Sequence, residues 1–298
     1  MSARPALNPG NDAAGARENA PRTRRGRGGR RPWALIAAVA VVFAFLYAPI
    51  LWLALVSFND SRTVSRFTGF STRWYAELVV DERVRSALGL TLRLALSSAA
   101  VCTVVGTLAA FGLRRVFRGR GLWTVLLSLP LVVPEVVMGV SLLAFCVKLA
   151  GIPLGFGALL AAHVAFSLSF VVVVVRSRLA GMDLRLEEAA ADLGAGPLTA
   201  FRTVTLPLVA PAVVAGAAFA FLLSFDDLVI SSYLTGVGST TLPVFIYGQA
   251  SKRGVSPEIV ALSTLMVAVS AALLLVGVAA VSWRARRAGR RAELALPN

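Results

Sequence analysis

Six long apolar stretches constrain the fold of this chain more than any other feature of its sequence. About 20 consecutive apolar residues cross a bilayer as an α-helix, and each stretch is of that order. The composition agrees, because 57% of the residues are hydrophobic whereas soluble domains hold roughly 45–50% apolar residues. The sequence therefore predicts an all-α, polytopic membrane protein with six transmembrane helices. The predicted spans are roughly 33–57, 88–112, 122–147, 157–175, 208–234 and 259–283.

The two ends of the chain differ in composition from these spans. Residues 1–32 are rich in Arg, Gly, Pro, Asn and Ala, which is typical of a disordered segment. The first apolar stretch is longer than the core of a signal peptide, and no small-residue cleavage site follows it. We therefore expect a disordered basic tail at 1–32, a six-span domain at 33–283 and a second tail at 284–298.

The positive charges predict how the spans are oriented. The chain carries a net charge of +15, and 21 of its 30 Lys and Arg lie in the two tails and in the loops 113–121 and 176–207. The loops on the other side hold eight. By the positive-inside rule, both termini and the loop 176–207 are expected to lie on the cytoplasmic side of the membrane. The basic character therefore indicates topology and contact with membrane lipid rather than nucleic-acid binding.

A polar stretch at 183–207, here called the docking loop, separates the fourth and fifth spans. Asp183 is suited to capping a helix whose first turns hold Glu187 and Glu188, where carboxylates stabilise the helix dipole. The alanines that follow form helix readily and have little bulk, so another backbone can approach closely. The alternative is an ordinary loop between two spans, in which the helix caps stabilise only the loop itself.

The second half of the docking loop predicts a second short helix. Gly194 and Gly196 are expected to break the first helix, and Pro197 is well suited to the first position of the next. Pro207 is expected to end that second helix. The docking loop should therefore form two short helices at an angle.

The same stretch resembles the EAA signature of bacterial ABC-importer permeases. That signature is Glu-Ala-Ala, three residues, Gly, nine residues, Ile or Val, one residue and Leu-Pro, and here Val204 fills the position where Ile is commoner. The resemblance implies the type I ABC-importer permease fold, a location in the bacterial plasma membrane and a cytoplasmic loop that couples to an ATP-binding subunit. The residues it assigns to that coupling are Glu188, Ala189, Ala190, Gly194, Leu206 and Pro207.

The resemblance also implies partners, and the sequence assigns no catalysis to this chain. An importer of this class combines two homologous permeases, two ATP-binding subunits and an extracytoplasmic binding protein. Neither Lys148 nor Lys252 follows a glycine, so the phosphate-binding pattern Gly-Lys-Ser/Thr does not occur and ATP must be bound by a separate subunit. The sequence predicts no cofactor, no metal site and no hydrolase triad, and His163 is expected to be satisfied by a neighbouring helix.

Three acidic residues within apolar spans are the candidates for a substrate path. A carboxylate at the bilayer centre costs about 2.5–3.5 kcal/mol on insertion scales, so such residues usually face a polar cavity or a partner charge. Glu135 follows Pro130 and Pro134, which should kink its helix, and Asp226 and Asp227 are adjacent near the outer end of the fifth span. The alternative is that the acids pair with Arg93, Lys148 or the partner subunit and only hold helices together.

The segments around these acids narrow the resemblance. SFDDLVISSYLTG, GVSPEIVALSTL and LPLVVPEVVMGVSLL look like the second permease of spermidine/putrescine importers, which implies polyamine transport. Importers of ferric ion, sulfate, phosphonates and thiamine share the fold and the EAA loop, so another solute is the main alternative. A non-transporting scaffold or signalling protein is a further alternative, although it would not need the EAA spacing.

Overall fold

The computed structural model describes residues 33–64, 66–183 and 185–294. Within these ranges most residues are helical, and the extended pairing is limited to an isolated antiparallel bridge between Asn59 and Phe70. The all-α prediction is confirmed. The helices are α1 (Trp33–Val56), α2 (Arg73–Val80), α3 (Glu82–Gly112), α4 (Arg120–Ser128), α5 (Glu135–Ala144), α6 (Phe156–Ala180), α7 (Arg185–Asp192), α8 (Pro197–Ala200), α9 (Leu206–Phe225), α10 (Val229–Leu234), α11 (Leu242–Arg253) and α12 (Pro257–Leu294).

Five helices in the described part of the chain are long and apolar enough to span a membrane. They are Trp33–Val56, Glu82–Gly112, Phe156–Ala180, Pro197–Phe225 and Pro257–Ala279. The sixth predicted span, 122–147, is not one straight helix. Its two halves, Arg120–Leu131 and Glu135–Leu149, meet at an angle of 107°, because Pro134 cannot donate a backbone hydrogen bond and begins the second half.

The predicted ends of the chain are only partly described. Residues 1–32 and 295–298 lie outside the described residues, so the prediction of a disordered basic tail stays a prediction. At the other end α12 continues to Leu294, so the predicted boundary at 283 does not coincide with a helix end. The described residues up to Ile50 form one unit, and those from Leu51 onward form another. In the first unit the rings of Phe43 and Tyr47 stack with centroids 5.9 Å apart.

The centre of the larger unit is the packing of α3, α6 and α9. Small residues let these helices approach closely, as is common in membranes. A Cβ atom built at Gly106 of α3 would lie 2.9 Å from Cβ of Val171, and one built at Gly216 of α9 would lie 3.2 Å from Cγ1 of the same valine. Val171 of α6 therefore fills a space that two glycines leave open. The buried residues of this cluster are Ala99, Cys102, Ala110, Val171, Val175, Leu179, Val209 and Ala220.

A second cluster packs α2 and α11 against α3 and α12. Trp74 of α2 is buried, and its indole N–H donates to the carbonyl of Asn59 at 2.7 Å. The hydroxyl of Thr91 on α3 accepts the N–H of Leu242, the first residue of α11, at 2.8 Å. Polar bonds thus fix the ends of both α2 and α11.

A third cluster holds the two short helices α5 and α10 together and against α6. A Cβ atom built at Gly139 of α5 would lie 2.6 Å from Cδ2 of Tyr233 on α10, so the helices touch at a position where only glycine fits. Both helices follow breaks in longer apolar segments, and their contact brings those two breaks together. The buried residues of the cluster are Leu94, Cys146, Ala158, Leu159, Ala162, Ile230 and Leu234.

Candidate functional site

The first half of the docking loop forms the helix that the sequence predicts. The N–H of Arg185 donates to Oδ1 of Asp183 at 3.0 Å, and Glu187 and Glu188 lie in the first turn of α7. The helix ends at Asp192, and Gly194 two residues later has a φ of +83°, a conformation that favours glycine. The predicted cap, acidic first turn and glycine break are all present.

The second half of the docking loop differs from the prediction. Pro197 begins a helix as expected, but Pro207 does not end it, since the helical segment runs from Pro197 to Phe225. A π-helical turn at Phe201–Thr205 comes just before this proline, and the N–H of Leu206 donates to the carbonyl of Phe201. Pro207 has no N–H to donate to the preceding turn of the helix. Because the π-helical turn shifts the hydrogen-bond register at this point, the helix continues past Pro207.

Most of the motif residues in the docking loop are exposed. Glu188, Ala189, Gly194, Leu206 and Pro207 are exposed and Ala190 is half-buried. The side chain of Glu188 forms no hydrogen bond or ion pair with another residue of the described ranges. Large apolar side chains lie beside them, and Leu193 and Leu198 are 90% and 63% exposed. An exposed apolar surface with an unpaired carboxylate is typical of a protein–protein contact.

Glu187, the residue before Glu188, faces the helix bundle rather than solvent. Glu187 receives two hydrogen bonds from the guanidinium of Arg114, at 2.7 and 3.0 Å, and a third from the hydroxyl of Thr205 at 2.7 Å. The bonds from Arg114 hold the pKa of the Glu187 carboxyl below its ordinary value, and they prevail over partial burial, which opposes them. Sequence reasoning missed this triad, because no motif spacing connects residues 73 positions apart.

The three candidate acids occupy the two helix breaks. Glu135 is the first residue of α5, directly after the break that Pro134 makes. The predicted span 208–234 is also not continuous, because α9 ends at Phe225 and α10 begins at Val229. Asp226 and Asp227 lie between them. We call Glu135, Asp226 and Asp227 the acidic cluster.

The structure brings the members of the acidic cluster together. The carboxyl group of Glu135 lies close enough to interact with those of Asp226 and Asp227. Their exposure differs, since Asp226 is exposed, Glu135 is half-buried and Asp227 is 6% exposed. Neither Arg93 nor Lys148 neutralises them: Nε of Arg93 donates to the carbonyl of Gly89, and the ion pairs formed among the described residues do not include Lys148.

Asp227 has partners inside its own chain. It accepts hydrogen bonds from the N–H groups of Ile230 and Ser231, at 3.2 and 2.7 Å, and so caps the N-terminus of α10. Its Oδ2 also lies 3.4 Å from Nε2 of His163 on α6. Asp227 is therefore paired within its own chain, with α10 and His163 rather than with Arg93 or Lys148.

His163 is satisfied on both ring nitrogens, as predicted. Its Nδ1 lies 2.6 Å from the hydroxyl of Ser224 on α9, and its Nε2 lies 3.1 Å from that of Ser231 on α10. Both serines and the histidine are buried. The ring therefore joins α6, α9 and α10 just below the break that carries Asp226.

Residues 102–290 match the family model described as "Binding-protein-dependent transport system inner membrane component". Over 244 residues the chain is 45% identical to the putrescine transport system permease protein PotI of Escherichia coli, which covers 80% of this chain and 86% of that one. It is 43% identical over 239 residues to the spermidine/putrescine transport system permease protein PotC of Haemophilus influenzae, covering 80% and 92%. These relatives are transport subunits, which confirms the expectation that the chain is not an enzyme.

Two solved transporters share the fold. The bacterial ABC transporter that imports the acidic polysaccharide alginate has a chain with a TM-score of 0.65 and 16% identity, covering 86% of this chain and 96% of that one. The methionine transporter MetNI gives a TM-score of 0.57 at 20% identity, covering 72% and 98%. The predicted type I ABC-importer permease fold is confirmed.

The contacts of the two aspartates predict different effects of their removal. Asp227→Ala should lower the stability and the membrane abundance of the protein, since loss of a helix N-cap costs about 0.5–2 kcal/mol and leaves buried His163 with one partner fewer. Asp226→Ala, the matched control, should leave both unchanged because that side chain is exposed. Quantitative immunoblots of membranes and thermal unfolding in detergent measure the two effects. Equal abundance and equal melting temperatures would contradict the assignment of Asp227 as a structural residue.

Proposed function

Because the chain belongs to the family of binding-protein-dependent transport system inner membrane components, we propose that it is the permease subunit of an ATP-driven polyamine importer. The observation that carries the proposal is the acidic cluster at two helix breaks, in a chain whose relatives are named for putrescine and spermidine transport. Putrescine and spermidine carry protonated amines at neutral pH, as a lysine side chain does. Carboxylates beside interrupted helices suit such a cation.

The proposed assembly pairs this chain with a second, homologous permease. Two ATP-binding subunits bind on the cytoplasmic side and an extracytoplasmic binding protein delivers the polyamine from the other side. Both termini and the docking loop lie in the cytoplasm, as the bias of 21 positive residues against eight supports. In this orientation α9 runs from the docking loop outward to Asp226, a distance of roughly 30 Å at 1.5 Å per residue.

Energy from ATP enters through the docking loop in this proposal. Closure of the ATP-binding subunits moves α7, and the permease pair then alternates between inward-open and outward-open states. Glu188 and Gly194 carry the coupling. The exposed Glu188 carboxylate and the exposed Leu193 and Leu198 support this role, because they form a surface that another protein can cover.

The members of the acidic cluster have two different roles, substrate contact and positioning. Asp226 and Glu135 meet the polyamine, since their side chains are the accessible ones. Asp227 is occupied by α10 and His163, so it positions the segment that presents Asp226. Two carboxylates in reach of each other attract a polyamine more strongly than one because each can accept a different ammonium hydrogen.

Another solute is the alternative with a specific observation behind it. The chain is 36% identical over 223 residues to a molybdenum transport system permease of Mycobacterium bovis, covering 68% of this chain and 81% of that one. Among the alternative solutes, sulfate and phosphonate are anions, and a cluster of carboxylates repels anions. Ferric ion and thiamine are cations, so direct uptake measurements are needed to separate them from polyamines.

Reversal of the charge at Glu188 tests the docking assignment. Glu188→Lys should leave the protein in the membrane, because the side chain is exposed, yet abolish uptake and the co-purification of the ATP-binding subunit. Glu82→Lys is the control, since Glu82 is also an exposed carboxylate and lies on α3, outside the docking loop. Uptake at the wild-type rate in the Glu188 variant would exclude this residue from docking. Co-purification of an ATP-binding subunit with the wild-type chain also separates a transporter from a scaffold.

Uptake of labelled putrescine and spermidine tests the cargo. Cells that lack this gene should lose uptake and regain it when the gene is returned, whereas ferric ion, thiamine, sulfate and phosphonate uptake should not change. Asp226→Asn and Glu135→Gln should each lower polyamine uptake about tenfold at unchanged membrane abundance, as expected for loss of one charge-assisted contact. Unchanged polyamine uptake in the deletion strain, with no redundant importer, would remove polyamines as the cargo. Unchanged uptake in both variants would remove the acidic cluster from the path.

A further inference from the structure

We propose that Glu187 is a positioning residue that ties the docking helix α7 to the two membrane-spanning helices α3 and α9, and so transmits the movement of α7 to both. The inference rests on the proposed function of the docking loop. It adds a second functional face to α7. Glu188 meets the ATP-binding subunit on one face, and Glu187 holds the helix bundle on the other.

The first connection runs through Arg114 to α3. Arg114 follows the end of α3 by two residues, and its N–H still donates to the carbonyl of Phe111 at 3.1 Å. Leu113 beside it is 3% exposed, so this end of α3 is anchored in the core. The two parallel hydrogen bonds from Arg114 to Glu187 fix the direction as well as the distance between the groups.

The second connection runs through Thr205 to α9. Thr205 is 2% exposed and is the last residue of the π-helical turn that precedes α9. Its hydroxyl donates to Oε1 of Glu187, the same oxygen that receives one bond from Arg114. One carboxylate therefore joins three segments of the chain. The π-helical turn is a local irregularity in a long helix, and such turns are frequent at functional sites.

Because α7 is weakly anchored by packing, the Glu187 carboxylate determines how the helix is oriented on the bundle. No residue of α7 is buried, so apolar packing does little to orient it, and isolated helices of eight residues are marginal in water. Successive residues of a helix point about 100° apart. Glu187 therefore points to the bundle while Glu188, the next residue, is exposed.

A groove beside the triad leaves α7 room to move. Its volume is about 660 Å³, and its lining includes Glu187, Ala191 and Ala195 together with Phe111 and Phe201. The rings of Phe111 and Phe201 contact each other edge to face, with centroids 5.2 Å apart. The ends of α3 and of the π-helical turn are thus joined independently of α7. Small alanine side chains facing this groove let α7 tilt about the Glu187 attachment.

Removal of the Glu187 carboxylate should uncouple ATP hydrolysis from transport. In the complete transporter, reconstituted in liposomes, Glu187→Ala should leave the ATP-binding subunits attached and hydrolysing ATP. The number of polyamine molecules imported per ATP should fall about tenfold, within the roughly 5–150-fold range typical of coupled sites. Glu82→Ala is the control, because Glu82 is an exposed carboxylate on α3, outside the docking loop, and it should behave as the wild type.

Two further variants distinguish positioning from a merely structural role. Exchange of the charges, Glu187→Arg with Arg114→Glu, should restore part of the import per ATP. If the exchanged protein does not reach the membrane, the double variant Glu187→Ala with Arg114→Ala provides the test. Its import per ATP should fall no further than that of Glu187→Ala alone, because both substitutions remove the same interaction. Additive losses in that pair would overturn the inference.

The remaining outcomes separate this inference from the docking assignment. Import per ATP at the wild-type value in Glu187→Ala would overturn the positioning role and leave the docking loop in place. Loss of the ATP-binding subunits in Glu187→Ala would also overturn it, because Glu187 would then belong to the docking surface. If the wild-type chain binds no ATP-binding subunit, both the docking assignment and this inference fail.

Discussion

The buried carboxylate of Asp227 is the interaction on which the rest of this structure depends. Two apolar segments are interrupted, and within a membrane every interrupted helix leaves backbone groups that need partners. Asp227 supplies them for α10 by accepting two of its first N–H groups, and it faces His163, which bonds to Ser224 and Ser231. The interruption therefore becomes a fixed feature of the bundle. Because α10 touches α5 at Gly139, the second interruption is held in place beside the first.

This arrangement separates two roles that adjacent residues share in the sequence. Asp227 is bonded within the bundle, whereas Asp226 and Glu135 remain accessible at the breaks. At the far end of α9, Glu187 and Glu188 show the same division, one directed to the bundle and one exposed. In the proposed importer, α9 connects the two ends: the π-helical turn directly before it bonds to the docking helix through Thr205, and its last residue precedes the acidic cluster. A movement of the docking loop thus has a rigid route to the substrate path.

The sequence predicts the features of this fold that follow from residue type and spacing. Apolar length indicates the spans, Pro134 indicates the bend before Glu135, and Gly194 indicates the end of α7. It does not predict what depends on long-range contact. Pro207 is normally a helix terminator, yet the π-helical turn before it lets the helix continue. The partners of Glu187 and Asp227 lie on other helices, and no local pattern identifies them.

The accessibility of the acidic cluster in the assembled transporter tests the central claim most directly. Rates of reaction with a small cationic thiol reagent should be measured for Asp226→Cys and Ser231→Cys, in membranes, with and without putrescine. The native Cys102 and Cys146 are buried, so the unmodified chain serves as the blank. The account predicts that Asp226→Cys reacts and is protected by putrescine, while Ser231→Cys, placed in the buried network, does not react. Equal reaction at both positions, or reaction at Asp226→Cys that putrescine does not slow, would contradict it.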